Sequence, residues 1–297
     1  MNYYPIEYIE PVFRPPSEAL SFILPLTNGC SWNKCTFCEM YTQEQKKFRA
    51  RKDEEVFADI ARVAQAVPHT KRVFLADGDA MILPTRRLRV VLEKLRESFP
   101  NLERVTSYCL PRNLAKKSVD ELIELRELGL QMLYVGLESG DDFVLDMVNK
   151  GESYESSVSA LKKIREAGIR SSVMVLNGLG GQRYSEQHAI NSAKAVNEAQ
   201  PDFVSTLVVS FPMGEERYRE RFTDWEPLTQ KQLFKELYQF IEHLELENTT
   251  FRSDHASNYL PLKGVLGQDK ARFLEELDMA INQPENVRLR EEWQRGL

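Results

Sequence analysis

Between Leu20 and Ser210 a short apolar run gives way to a helix-patterned stretch, and this happens about six times. The runs are Leu20–Leu26, Arg72–Ala76, Arg104–Cys109, Gln131–Leu137, Arg170–Leu176 and Asp202–Ser210. Several read as continuous Val, Leu and Phe runs, which marks strands covered on both faces. The stretches between them carry apolar residues at helical spacing. Val56, Ile60, Val63 and Val67 fall on one stripe, and Leu88, Val91, Leu92, Leu95 and Phe99 on another. Ser118 with Glu121 has the spacing of a helix-opening capping box, and Gly129 and Gly168 stand where helices close. Strand–helix alternation of this kind predicts an α/β fold with a parallel sheet. Six units fit a doubly wound sheet or part of a (β/α) barrel, and periodicity alone does not choose. In either, ligands gather at the C-terminal ends of the strands.

After Pro212 the alternation stops. Thr229 and Gln232 open a long helix, FRSDHASNYLPLKG reads as an irregular polar and aromatic segment, and a last helix is expected near Asp269–Ile281. The expected domains are an N-terminal extension over 1–19, a core over 20–214, and a helical C-terminal extension over 215–297 containing the polar loop 251–264.

The formal net charge is −6, which argues against a sequence-independent hold on nucleic acid. The N-terminal residues show no basic start followed by an apolar run, so no secretory leader is read. No stretch approaches the length of a membrane span. The cytoplasm is the expected location.

Three of the four cysteines fall in NGCSWNKCTFCEMY, as Cys30, Cys35 and Cys38. In a cytosolic chain such a cluster reads as a metal site before a disulfide framework. Thiolates hold iron–sulfur clusters, usually four to a cubane. Three ligands leave one iron open to a reacting small molecule. The competing reading is structural zinc, which needs four ligands; no nearby His supplies the fourth, although Cys109 at the end of the third run remains available.

The cysteine loop resembles that of the radical SAM superfamily, whose usual spacing is C-x3-C-x2-C with an aromatic residue before the third cysteine. Here the first gap is one residue longer, and Phe37 holds the aromatic position. Two further stretches carry the resemblance. Asp77–Gly78–Asp79 stands where the superfamily has a Gly-Gly-Glu-like motif for the methionine ammonium. YVGLESG, with Glu138 and Ser139, resembles a stretch of the branch containing coproporphyrinogen oxidase-like and methylthiotransferase-like proteins.

The resemblance covers about Leu20–Gly214 and implies a partial (β/α)6 barrel. It implies a [4Fe–4S] cluster on Cys30, Cys35 and Cys38, and S-adenosylmethionine held by Phe37, Asp77, Gly78, Asp79, Glu138, Ser139 and Asn177. Arg183 is a weaker candidate beside Asn177. VSFPMG resembles the stretch that lines the adenine. The implied reaction is reductive cleavage of S-adenosylmethionine to a 5′-deoxyadenosyl radical that acts on a substrate. An electron donor such as flavodoxin or ferredoxin is implied as partner.

One cysteine outside the loop is too few for a second cubane, and no basic RNA-binding module is visible. A small-molecule substrate is expected by elimination. His255 and Asn258 are the candidate catalytic residues, as part of a polar set able to close over a substrate. The alternative function is a non-catalytic iron–sulfur or haem carrier on the same fold.

Overall fold

The computed structural model describes residues 4–295. Two compact units divide the chain. The first runs to Asn33 and resumes over Cys38–Val135 and Lys163–Ser171; the second holds Lys34–Phe37, Gly136–Lys162 and the described residues from Ser172 onward.

The first unit is built on four parallel strands. β1 (Phe22–Pro25) pairs with β4 (Arg72–Ala76), β4 with β5 (Arg104–Cys109), and β5 with β6 (Leu130–Glu138) up to Val135. The short strands β2 (Thr27–Asn28) and β3 (Arg49–Ala50) form a separate antiparallel pair. Helices α1 (Asp53–Ala66), α2 (Thr85–Ser98) and α3 (Val119–Glu127) supply the crossovers, α1 beside α2 and α2 beside α3. Their apolar stripes are buried as the spacing requires: Val56, Ile60 and Val63 on α1, Leu88, Val91, Leu92 and Leu95 on α2. α3 opens on the capping box. Ser118 Oγ accepts from the Glu121 amide at 3.1 Å, and Glu121 Oε2 accepts from the Ser118 amide at 2.8 Å.

Ile23, Phe74 and Ala76 form an apolar cluster with Tyr8, Val12, Tyr108 and Tyr134 packed against it. The N-terminal extension is therefore part of this unit's core. Tyr8 donates to the Ile23 carbonyl at 3.0 Å. The fully buried Glu18 takes the Tyr134 hydroxyl at 2.6 Å and pairs with Arg104 at 3.0 Å.

The second unit continues the pattern. β7 (Arg170–Asn177) lies parallel to β8 (Phe203–Val208), and β8 is parallel to β9 (Thr250–Ser253). The antiparallel β10 (Leu262–Val265) closes the order. Its helices are α4 (Asp142–Met147), α5 (Tyr154–Glu166), α6 (Gly181–Ala199), α7 (Glu216–Arg219), α8 (Gln230–Glu242) and α9 (Leu266–Asn282). α6 packs on α8, and α8 on α9.

The fold is α/β with mostly parallel strands, as expected. Neither unit's sheet closes on itself, which agrees with a partial barrel. One expectation is corrected. The ends of FRSDHASNYLPLKG are not irregular, because β9 and β10 bracket the polar turn between them. Four-residue strands that mix Arg252 or Lys263 with apolar residues are too short to show a period. No helix among the described residues is long and apolar enough to cross a membrane.

Candidate functional site

In the first unit the loop bearing Cys30 begins where β2 ends. Its course is set by two glycines. Gly29 has φ +81°, and a Cβ there would overlap the Lys46 carbonyl oxygen. Gly78, with φ +88°, lies so close to the same loop that a Cβ would stand 2.6 Å from the Gly29 carbonyl and 2.9 Å from the Cys30 amide nitrogen. A side chain at Gly78 would part the loop after β4 from the cysteine loop, and one at Gly29 would push the Lys46 backbone away. Thr27 fastens the approach further. Its hydroxyl donates to the Asp77 carbonyl at 2.6 Å and accepts from the Asp79 amide at 3.3 Å.

The two aspartates flanking Gly78 have different environments. Asp77 is spent internally. Its Oδ2 is paired with the buried Lys46 ammonium, and its Oδ1 accepts from Tyr41 at 2.9 Å. Burial pushes its pKa up, opposed by Lys46 and Tyr41. Asp79 is also buried, and its Oδ2 accepts from the Ser31 hydroxyl, one residue after Cys30. Burial pushes Asp79 up as well, with Ser31, Asn113 and Arg112 pulling it down. Asn113 lies close enough to pull the Asp79 pKa down, but its amide falls outside ordinary hydrogen-bond geometry and leaves Asp79 Oδ1 room for a closer donor. The sequence offers both aspartates alike; Lys46, 31 positions away, occupies Asp77 and announces itself by no local pattern.

In the second unit Glu138 ends β6 in the left-handed region, at φ +64°. Such backbone strain in a non-glycine residue collects at functional sites. Glu138 Oε1 pairs with Lys150 Nζ at 3.3 Å, and Oε2 is buried without a partner. Gly136 makes room, since a Cβ there would overlap Oε1 and stand 3.2 Å from Lys150 Nζ. The same ammonium lies 5.8 Å from the centroid of the Phe37 ring.

Ser139 is fully buried and structurally engaged. Its Oγ accepts from the Asp141 amide at 3.0 Å and lies 2.8 Å from His188 Nδ1. His188 Nε2 faces the Leu176 carbonyl at 3.0 Å and so carries a proton. Asn177 is buried at the end of β7, where its carbonyl accepts from the Val209 amide at 2.9 Å. Arg183 is exposed and paired with Asp224 at 2.7 Å.

A cavity of about 150 Å³ in this unit is walled by Phe37, Leu176, the 207–210 stretch, His255 and Ser257. His255 is thus brought beside the aromatic residue of the cysteine motif, a link of 218 positions that the sequence alone does not make. Asn258 does not line the cavity. It is buried, and its amide donates to the Thr206 carbonyl at 2.8 Å, which ties the turn to β8.

The donor set fits an iron–sulfur cluster. Cys30, Cys35 and Cys38 form no disulfide and are partly exposed, whereas Cys109 is buried. The thiolates of a cubane each hold a different iron. The buried oxygens of Asp79 in the first unit and of Glu138 in the second each suit an ammonium or hydroxyl donor.

These features define an α/β protein whose cysteine loop follows its first strands. Residues 24–196 match the model of the radical SAM superfamily, and the chain belongs to that superfamily. It is 22% identical over 179 residues to the heme chaperone HemW of Bacillus subtilis, covering 59% of this chain and 46% of that protein. It is 25% identical over 149 residues to a putative methylthiotransferase of Methanocaldococcus jannaschii, covering 48% and 32%. The chain spans about half the length, or less, of these curated relatives. Among solved structures, coproporphyrinogen III oxidase HemN from Escherichia coli, a radical SAM enzyme, superposes with a TM-score of 0.57 at 19% identity, over 75% of this chain and 52% of that one. Membership implies a [4Fe–4S] cluster and S-adenosylmethionine as cofactors.

Proposed function

We propose that this chain is an enzyme that cleaves S-adenosylmethionine reductively at a [4Fe–4S] cluster and turns the resulting 5′-deoxyadenosyl radical on a small-molecule substrate. The observation that carries the proposal is Gly78 seated against the Gly29–Cys30 peptide, with the unpartnered oxygen of Asp79 beside it. Cys30, Cys35 and Cys38 would hold the cluster. When bound, the cluster supplies the electron that breaks the C5′–S bond.

Asp79 Oδ1 takes the methionine ammonium, and Gly78 lets the backbone come near. Asp77 instead braces the loop through Lys46 and Tyr41. Glu138 Oε2 accepts ribose hydroxyls, with Lys150 keeping its charge balanced. Phe37 and the 207–210 stretch wall the space for adenine, close to Asn177. The apolar wall keeps water from a reactive centre. A small acidic redox protein such as flavodoxin or ferredoxin would deliver the electron, in the cytoplasm.

The similarity to a heme chaperone supports one second reading, a carrier that binds the cofactors without turnover. The test is anaerobic reconstitution with iron and sulfide, followed by dithionite, S-adenosylmethionine and cell extract as substrate source. Release of 5′-deoxyadenosine by the native chain, absent from Cys35→Ala, is the expected result. A brown protein that releases none supports the carrier. A colourless protein that retains zinc and refuses iron overturns both readings.

A further inference from the structure

The turn between β9 and β10 has features that the superfamily cofactor site does not require. It is held rigidly. The Arg290 guanidinium donates to the carbonyls of Asp254, His255 and Asn258, and Arg295 donates to the Ser257 carbonyl at 2.9 Å. Asn258 ties the turn to Thr206, and Ser257 Oγ accepts from the Val208 amide at 3.2 Å. Each bond fixes the turn over the end of β8, where the cavity opens.

His255 is fixed within this frame. Its Nδ1 accepts from the Ser257 amide at 3.1 Å and lies 2.9 Å from the Ser257 hydroxyl, which already accepts from Val208 and so donates to the ring. With Nδ1 an acceptor, the neutral ring carries its proton on Nε2. Partial desolvation at this exposed turn and the neighbouring Arg290 lower its pKa and favour that neutral form, against a smaller upward pull from Asp254. Nε2 makes no hydrogen bond to any described residue. An oriented N–H donor therefore stands at a cavity of about 150 Å³ whose other walls are Phe37, Leu176 and the 207–210 stretch. That space is well below the roughly 300–1,000 Å³ of a site for a drug-sized ligand, and suits one flat ring.

We propose that His255 reads the purine of the cofactor, its Nε2–H donating to a ring nitrogen of adenine; this rests on the adenine placement under Proposed function. The recognition belongs to this chain's C-terminal extension, since the donor and both arginines that hold it lie beyond residue 250. One donor that demands an acceptor gives specificity out of proportion to its affinity, because an analogue lacking the acceptor leaves the N–H unmet.

The experiment is anaerobic calorimetry of the cluster-loaded protein with S-adenosylhomocysteine, which binds without being cleaved. One neutral hydrogen bond is worth about a three- to tenfold change in Kd. His255→Ala should weaken binding by that factor. His255→Gln, whose amide reaches the position of Nε2, should recover most of it. Among the 1-, 3- and 7-deaza analogues, one should bind the native chain worse by the same factor yet lose nothing further in His255→Ala. Native affinity in His255→Ala, or a loss equal for all three analogues, would overturn the assignment of His255. Failure of the native chain to bind the probe would instead overturn the cofactor reading itself. His255→Gln also guards against a folding artefact, since it keeps the side chain polar and of similar reach.

Discussion

Replacing Lys46 by Met separates a structural carboxylate from a ligand-binding one. Lys46 and Asp77 have relative side-chain exposures of 0% and 2%, and the Lys46 ammonium sits 5.9 Å from the Tyr41 ring centroid. Met keeps the length of the stem but removes the charge. Asp77 then keeps only the Tyr41 hydroxyl in a site where burial already raises its pKa. Breaking one side of a buried pair costs about 3–5 kcal/mol, because the surviving charge is stranded.

The loss should appear in urea unfolding of the cluster-loaded protein as a lower midpoint at unchanged slope. The double variant Lys46→Met with Asp77→Asn should recover most of it, since nothing charged is left behind. The deficit must also depend on pH. With Lys46 gone, the folded-state pKa of Asp77 rises further above its unfolded value, so the folded state binds the extra proton. Stability of the single variant then falls as pH rises through that pKa, and its deficit narrows in acid. A cost below about 1 kcal/mol, set against the stranded-charge expectation, or a double variant as weak as the single one, would refute the reasoning.

The two aspartates should separate by function. Asp79→Asn should weaken S-adenosylhomocysteine binding about 10- to 100-fold, the worth of a hydrogen bond to a charged group, with little change in the urea midpoint. Asp77→Asn should do the reverse, as calorimetry and unfolding on the same samples would register. Below the ordinary histidine pKa, His255 contributes a proton-linked loss of stability: its folded pKa is lowered, so the unfolded chain binds more protons there and stability rises with pH. His255→Gln should lack that part of the slope between the lowered pKa and about 6.5, measured by thermal unfolding across the acid range. At the cysteines, Cys35→Ala should lose the brown cluster as well as 5′-deoxyadenosine formation, as iron analysis of the reconstituted variant checks.

Much of the fold was legible because its signals are local. The run Arg104–Cys109 and the box Ser118–Glu121 appear in the structure as read. α6 begins at Gly181, a glycine at φ +60° where a Cβ would meet Trp225 from a distant stretch. The cysteine triplet was legible for the same reason, its ligands lying within nine residues. What stayed hidden is contact across the sequence. Lys46 claims Asp77 from 31 residues away, and Lys150 claims Glu138 from 12. Arg290 and Arg295 hold the turn bearing His255 across 35 and 38 positions. His188, buried on α6 between β7 and Ser139, gave a weak clue as a polar residue within an apolar helix stripe.

The placement of Arg290 and Arg295 bears on how this chain tolerates damage. A stop codon after residue 289 would leave every cysteine, every strand and the long helices encoded. It would remove the two guanidiniums that hold the 254–258 carbonyls. Losing those guanidiniums would slacken the turn that bears His255 while leaving the cysteine loop untouched, so under the His255 proposal such a lesion shows in cofactor binding before it shows in iron content.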